Sequence, residues 1–141
     1  MKQIDFIENP PIILTLDGNI ISKKNSNVFN RNTGTVGKTR NFNAWHRKAL
    51  RQMIKQRDEL IKPNTHITHC DKISFELTFG SNTRTDADNK ITSCLDLLQD
   101  AFIMEDDRWQ VVPKLYVQSR FEKGSWGAVI VIHNPTYGEI T

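Results

Sequence analysis

Only two cysteines, Cys70 and Cys94, occur in the 141 residues, and no stretch of the chain stays apolar for long. Two thiols cannot build the disulfide framework of a small secreted domain. No run approaches the roughly 20 apolar residues that a membrane helix needs. The opening MKQIDFIENPP lacks the apolar core of a secretory leader. Also missing are the patterns G-x-x-x-x-G-K-[ST], G-x-G-x-x-G and G-x-S-x-G, so nucleotide hydrolysis and serine chemistry have no foothold. These absences lead us to expect a cytoplasmic protein. The length suits one domain over residues 1–141, without repeats or an internal boundary.

Net charge is a modest +3, but it is unevenly spread. Residues 1–65 carry 12 Lys and Arg against 5 Asp and Glu, a balance of +7, whereas residues 66–141 carry 7 against 11, a balance of −4. A basic half of this kind suits a polyanionic partner such as nucleic acid or an anionic membrane surface. A solvated basic face with no partner is the plainer alternative. The excess includes Lys23, Lys24, Arg31, Lys38, Arg40, Arg47, Lys48, Arg51, Lys55, Arg57 and Lys62.

Residues 10–16 (PPIILTL) read as a strand, followed by the turn Asp17-Gly18-Asn19, with Ile20 and Ile21 beginning a return strand. Residues 22–41 are polar and basic and read as a long mobile loop able to track phosphates. Residues 43–60 read as a helix capped by Asn43, with Trp45, Ala49, Met53, either Ile54 or Gln56, and then Leu60 near one face. Its other faces carry Arg47, Lys48, Arg51, Lys55 and Arg57. Residues 71–79 alternate cleanly as a half-buried strand. A helix over 86–102 follows, then strands at 109–121 and 126–132 joined by a hairpin at Glu122-Lys123-Gly124. The tail 134–141 is expected to fray. Together these elements predict a small α/β (α+β) domain with a mixed sheet and two main helices.

The acids concentrate in RTDADNKITSCLDLLQDAFIMEDDRWQVV, residues 84–112. Asp86 and Asp88 open the second helix; Glu105, Asp106 and Asp107 follow it. Hard cations such as Mg²⁺ prefer carboxylate oxygens together with phosphate and water. Asp88, Ile91, Leu95, Leu98 and Phe102 share one helical face by spacing, which would turn Asp88 toward the core edge, where an acid needs a cation or a partner. The plainer alternative makes Asp86 and Asp88 cap and first-turn acids, and the later acids turn residues. From Asp88 to Phe102 a straight helix runs about 21 Å at 1.5 Å per residue. Acids at its two ends then meet either across a two-fold axis, in a homodimer with composite sites, or through a break near Gln99–Ala101. His66, His69 and Cys70 form H-x-x-H-C, a weak zinc pattern without an obvious fourth ligand. Trp109, beside Asp107, is a candidate wedge into DNA or a packing residue of the dimer.

The same stretch resembles the signature of RusA-type Holliday junction resolvases, D-x-D-N-x-x-K-x-x-x-D-A-L followed after a gap by D-D-x-Q-V-V. Asp86, Asp88 and Asn89 match its opening, Asp96 and Leu98 its middle, and Asp106, Asp107, Gln110, Val111 and Val112 its end. The resemblance covers about 27 residues closely. It implies a small homodimeric endonuclease of DNA recombination and repair, often prophage-linked, that cuts four-way junctions with Mg²⁺, or with Mn²⁺ in its place. It implies Asp86, Asp88 and Asp107 as the catalytic and metal-holding acids; the basic loop and helix, with Lys23, Lys24, Arg31, Lys38, Arg40, Arg47 and Lys48, would then supply the phosphate contacts. The family's catalytic lysine falls on Thr92, which carries no charge. Lys90, Arg84 and Asp106 are the nearby candidate charge partners. A non-catalytic branched-DNA-binding protein of the same fold and a less selective branched-DNA nuclease are the rival readings.

Overall fold

In the computed structural model, residues 8–22, 27–82 and 87–140 are described. The alternating pattern of Ile12–Asp17 (β1) buries Ile12, Leu14 and Leu16 and exposes the residues between. The same alternation in Lys72–Phe79 (β5) buries Ile73, Phe75 and Leu77, as the sequence predicts. With Leu115–Phe121 (β6) and Gly127–His133 (β7) these form one mixed sheet in the order β1-β7-β5-β6. β1 and β5 flank β7 antiparallel, while β6 lies parallel to β5, with Ile73 opposite Leu115 and Phe79 opposite Phe121. The predicted hairpin at Glu122-Lys123-Gly124 therefore does not form. β5 sits between the two strands it would have joined, and the Glu122 and Gly124 amides donate to Phe79 and Gly80 carbonyls at the end of β5.

Two smaller sheets correct further expectations. The predicted loop over 22–41 contains a β-hairpin, Asn27–Asn30 (β2) with Thr35–Lys38 (β3). Its turn closes where the Gly34 amide, at φ +69°, donates to the Asn30 carbonyl (2.9 Å). The expected frayed tail instead supplies Thr136–Glu139 (β8), antiparallel to Thr65–His69 (β4). Ile20 and Ile21 form no strand: their carbonyls accept from Lys90 Nζ (2.8 Å) and Ser93 Oγ (2.8 Å). The expected start of β6 at 109 moves to 115, because residues 108–111 turn under the Arg108 carbonyl.

The first helix, Arg40–Leu60 (α1), starts three residues earlier than predicted. Its cap is Thr39, not Asn43; the Thr39 Oγ1 accepts from the Phe42 amide (3.2 Å). Its buried residues are Phe42, Ala49, Met53 and Arg57, leaving Ile54 and Leu60 exposed. α1 also closes the β1 edge of the main sheet. The Thr15 and Asp17 amides donate to Gln56 Oε1 (2.8 Å) and Gln52 Oε1 (3.2 Å), and Gln56 Nε2 donates to the Thr15 carbonyl (2.9 Å).

The second helix, Ala87–Asp100 (α2), ends two residues before the predicted limit. Phe102, at φ 58°, is the left-handed residue of a Schellman stop: the Ile103 amide donates to Leu98 O (3.0 Å) and the Phe102 amide to Gln99 O (3.0 Å). Leu98 and Ile103, which that motif brings together, are both fully buried. The chain then doubles back, with Met104 bridging Ile67 of β4. Arg57, read from sequence as part of the basic outer surface, is buried instead. Its guanidinium donates from Nε to Phe102 O (3.0 Å) and from Nη2 to Thr65 O.

Replacing Arg57 with Ala leaves two carbonyls without their donor and is expected to cost about 3 kcal/mol in urea unfolding. Phe102→Gly removes a side chain from a left-handed position and is expected to add about 1 kcal/mol in the same assay. Equal stability of Arg57→Ala and wild type would contradict the first; a loss in Phe102→Gly would contradict the second.

Candidate functional site

Helix phase decides which acids face outward. The buried residues of α2 are Lys90, Ile91, Ser93, Cys94, Leu97 and Leu98, one step round from the expected stripe. Asp88 is consequently exposed, not turned to the core edge, and Phe102 is exposed as well. Asp88, Thr92 and Asp96 follow one another at four-residue intervals, so they form an outward row along α2. Thr92 Oγ1 donates to the Asp88 carbonyl (3.1 Å), so the position at which the resemblance leads one to expect a lysine holds a hydroxyl bonded to its own helix. Asp86 and Arg84 lie outside the described residues, as do Lys23 and Lys24.

The reversal after Phe102 brings Asp107 within electrostatic range of α2. Asp96 is close enough for its charge to help raise the Asp107 carboxyl above the ordinary value. Partial burial is the largest cause of that rise, followed by the hydrogen bond and charge of Asp106. Asp106 moves the other way, because it accepts from the Asp107 amide (2.7 Å) and lies beside Arg108 (3.4 Å). This approach is to Asp96 and leaves Asp88 farther along the helix. Asp96 is eight residues from Asp88, about 12 Å along the axis, against the 21 Å of a straight run. Among the described residues no three of His, Cys, Asp and Glu form a group that could hold a metal. Asp86, a member of the expected trio, is not among them.

Lys90 points inward. Its ammonium donates to Asn19 Oδ1 (2.6 Å) and to Ile20 O (2.8 Å), and lies over the rings of Phe79 (5.4 Å) and Trp126 (5.3 Å). Burial lowers its pKa from the ordinary lysine value. Among the described residues its partners are neutral oxygens and aromatic faces. Gly80 makes this box feasible: a Cβ there would fall 2.3 Å from Trp126 Nε1.

Beside the N-terminus of α2 a cleft of about 290 Å³ is lined by Phe79, Ala87, Ser119, Arg120 and Phe121. Arg120 was not singled out by sequence reasoning, and no local pattern could have found it, because the placement of β6 next to β5 is a long-range pairing. The zinc pattern is not assembled in the described structure. His69 Nδ1 is bonded to Gln110 O (3.0 Å), and the buried Cys70 thiol, against Val111 O (3.6 Å), is pushed up to about 11 mainly by burial.

The expected DNA contacts divide in two. Arg31 sits in the exposed β2–β3 turn, and Lys38 ends β3 with its ammonium over the Phe42 ring (5.9 Å). Arg40, Arg47 and Lys48 are exposed on α1. The two charge regions meet where His46 Nε2 of α1 contacts Asp100 Oδ2 of α2 (2.9 Å).

The raised Asp107 carboxyl carries a sign. Its ionisation is less favourable in the folded than in the unfolded chain, so its contribution is fully present below the unfolded carboxylate pKa, about 4. That contribution is lost as pH rises through the folded value. Asp107→Asn is therefore expected to be more stable than wild type at neutral pH without divalent cations, the gain vanishing in acid. Denaturation curves at pH 7 and pH 3.5 check this, and a variant no more stable at pH 7 would refute it.

A scan against models of protein families gives no match to this chain, and a search of curated proteins gives no matching relative.

Proposed function

We propose that the chain is a Mg²⁺-dependent endonuclease of RusA type, acting on four-way and other branched DNA as a homodimer. The observation that carries this reading is the chain reversal at Phe102 after α2, which brings Asp107 within electrostatic range of Asp96 on that helix. A carboxyl raised by burial and by the charge of neighbouring acids would gain from a divalent cation, which would also bridge it to a phosphate. Asp88 and Asp107, with Asp86, would hold Mg²⁺, or Mn²⁺ in its place. Bound there, the ion would polarise the scissile phosphoryl group and activate water. The exposed β2–β3 hairpin supports the DNA half of the reading. It projects Arg31 at its tip and leaves Phe29 and Val36 about 60% or more exposed, the shape and chemistry of a ribbon that enters a groove. Lys38, Arg40, Arg47 and Lys48 would contact phosphates, making affinity fall with salt.

Thr92 favours one second reading, a branched-DNA-binding protein without cleavage, because the charge a resolvase places there is absent. One assay separates the two. Purified protein is mixed with a labelled mobile four-way junction and with matching linear duplex, with and without Mg²⁺. Paired symmetric nicks on the junction alone, lost by a factor of at least about 100 in Asp88→Asn, are the expected result. Thr92→Lys is expected to speed cleavage about tenfold by restoring the charge. Wild-type cleavage by Asp88→Asn would refute the acid assignment; a salt-sensitive junction complex without any nick would select the second reading.

A further inference from the structure

The two edges of the main sheet are treated differently. The β1 edge is closed by the Gln52 and Gln56 amides of α1. The β6 edge is uncovered among the described residues, and all seven residues of β6 are exposed. Leu115, Tyr116, Val117 and Phe121 are each between 46% and 59% exposed there. A long apolar edge with free backbone groups is a template for a further strand, and stable monomers usually block such edges with charge, proline or a bulge.

We infer that the β6 edge pairs antiparallel with β6 of a second copy of this chain, joining two four-stranded sheets into one of eight. The sequence of the edge selects this occupant. A two-fold axis perpendicular to the sheet keeps side chains on matching faces only if paired residue numbers sum to an even value. With the axis at Gln118, Leu115 faces the partner's Phe121, and Tyr116 faces the partner's Arg120. One step outward, the exposed Lys114 faces the partner's Glu122. Apolar meets apolar, a guanidinium meets an aromatic ring, and opposite charges meet, each pair occurring twice. Moving the axis to Val117 instead sets Lys114 against the partner's Arg120, a like-charge pair. Charge therefore favours the axis at Gln118 over the axis at Val117.

This pairing deepens the proposed function and rests on its homodimer. The cleft at the N-terminus of α2 includes Ser119 and Phe121, next to the axis. The partner's β6 starts opposite Phe121, so the segment leading into it arrives at the same end of the sheet as that cleft. That segment carries Trp109, which is 73% exposed, and Asp107. Two clefts then lie on one face, related by the two-fold that paired nicking needs.

Sedimentation equilibrium at tens of micromolar protein is expected to show a dimer. Lys114→Glu and Glu122→Lys each set like charges opposite one another twice, and each should weaken the dimer about tenfold. The double variant exchanges the charges and should restore wild-type affinity, which a folding defect would not do. Gln118→Cys, which faces itself across the axis, should cross-link on mild oxidation, whereas Lys55→Cys on α1 should not. A monomeric wild type, a double variant no tighter than the singles, or a dimer in which Gln118→Cys fails to cross-link overturns the pairing. Cleavage is scored separately on the junction. A β6 dimer without nicks would reject the nuclease reading alone, and nicks from a protein that fails these tests would reject the pairing alone.

Discussion

The buried guanidinium of Arg57 ties together the three segments that place the site. It links the last turns of α1, the left-handed turn at Phe102 and the first residue of β4. A charge this far from water is tolerable only where its donors are used. Here two backbone carbonyls accept from it. One of them, Phe102 O, belongs to a helix end whose carbonyls lack helical partners. The same contact holds the chain in reversal, and five residues later Asp107 lies within electrostatic range of Asp96 on α2. A residue with no contact to the acids thus sets where one of them stands.

What the sequence revealed was what local periodicity records. β1 and β5 alternate as read, and both helices fall close to their predicted ranges. The phase of α2 was misread because Lys90 counts as polar in any stripe. Its stem and ammonium are accepted by Asn19, Phe79 and Trp126, residues that only the tertiary fold assembles. Once Lys90 is inside, Ile91, Cys94, Leu97 and Leu98 become the core face, and Asp88 must turn out. Arg57 misled in the same way on α1. Arg57 was assigned to solvent and Lys90 to the nearby acids, whereas the burial of each depended on carbonyls and rings distant in sequence.

Pairings were less legible than elements. The Glu122-Lys123-Gly124 turn has hairpin composition, yet β5 occupies the place its strands would share. β4 and β8 carry short, mixed patterns, and their identity as strands comes from each other. The β2–β3 hairpin was hidden by a polar, asparagine-rich composition that loops share. Thr35, Val36 and Gly37 of β3 are all exposed, so no apolar alternation marks that strand. For the site, residue types were readable, but the approach of Asp107 to Asp96 was not, since it follows from a turn geometry that glycine usually signals and Phe102 does not.

The charge asymmetry of the chain acquires a physical meaning from the helix packing. The basic outer surface of α1 and the acidic row of α2 are neighbours, joined by His46 and Asp100. Over a Debye length of about 8 Å at physiological salt, a phosphate drawn to Arg47 or Lys48 comes under the repulsion of the acids as it nears α2. Steering and repulsion then compete on one surface. In the proposed function a divalent cation would ease that competition, because it would offset two of the carboxylate charges while leaving the basic surface intact. The same arrangement makes the acids poor direct ligands for DNA. Their neutralisation by mutation would tighten binding even as it removes the cation, so binding and cleavage respond to the same carboxylates in opposite directions.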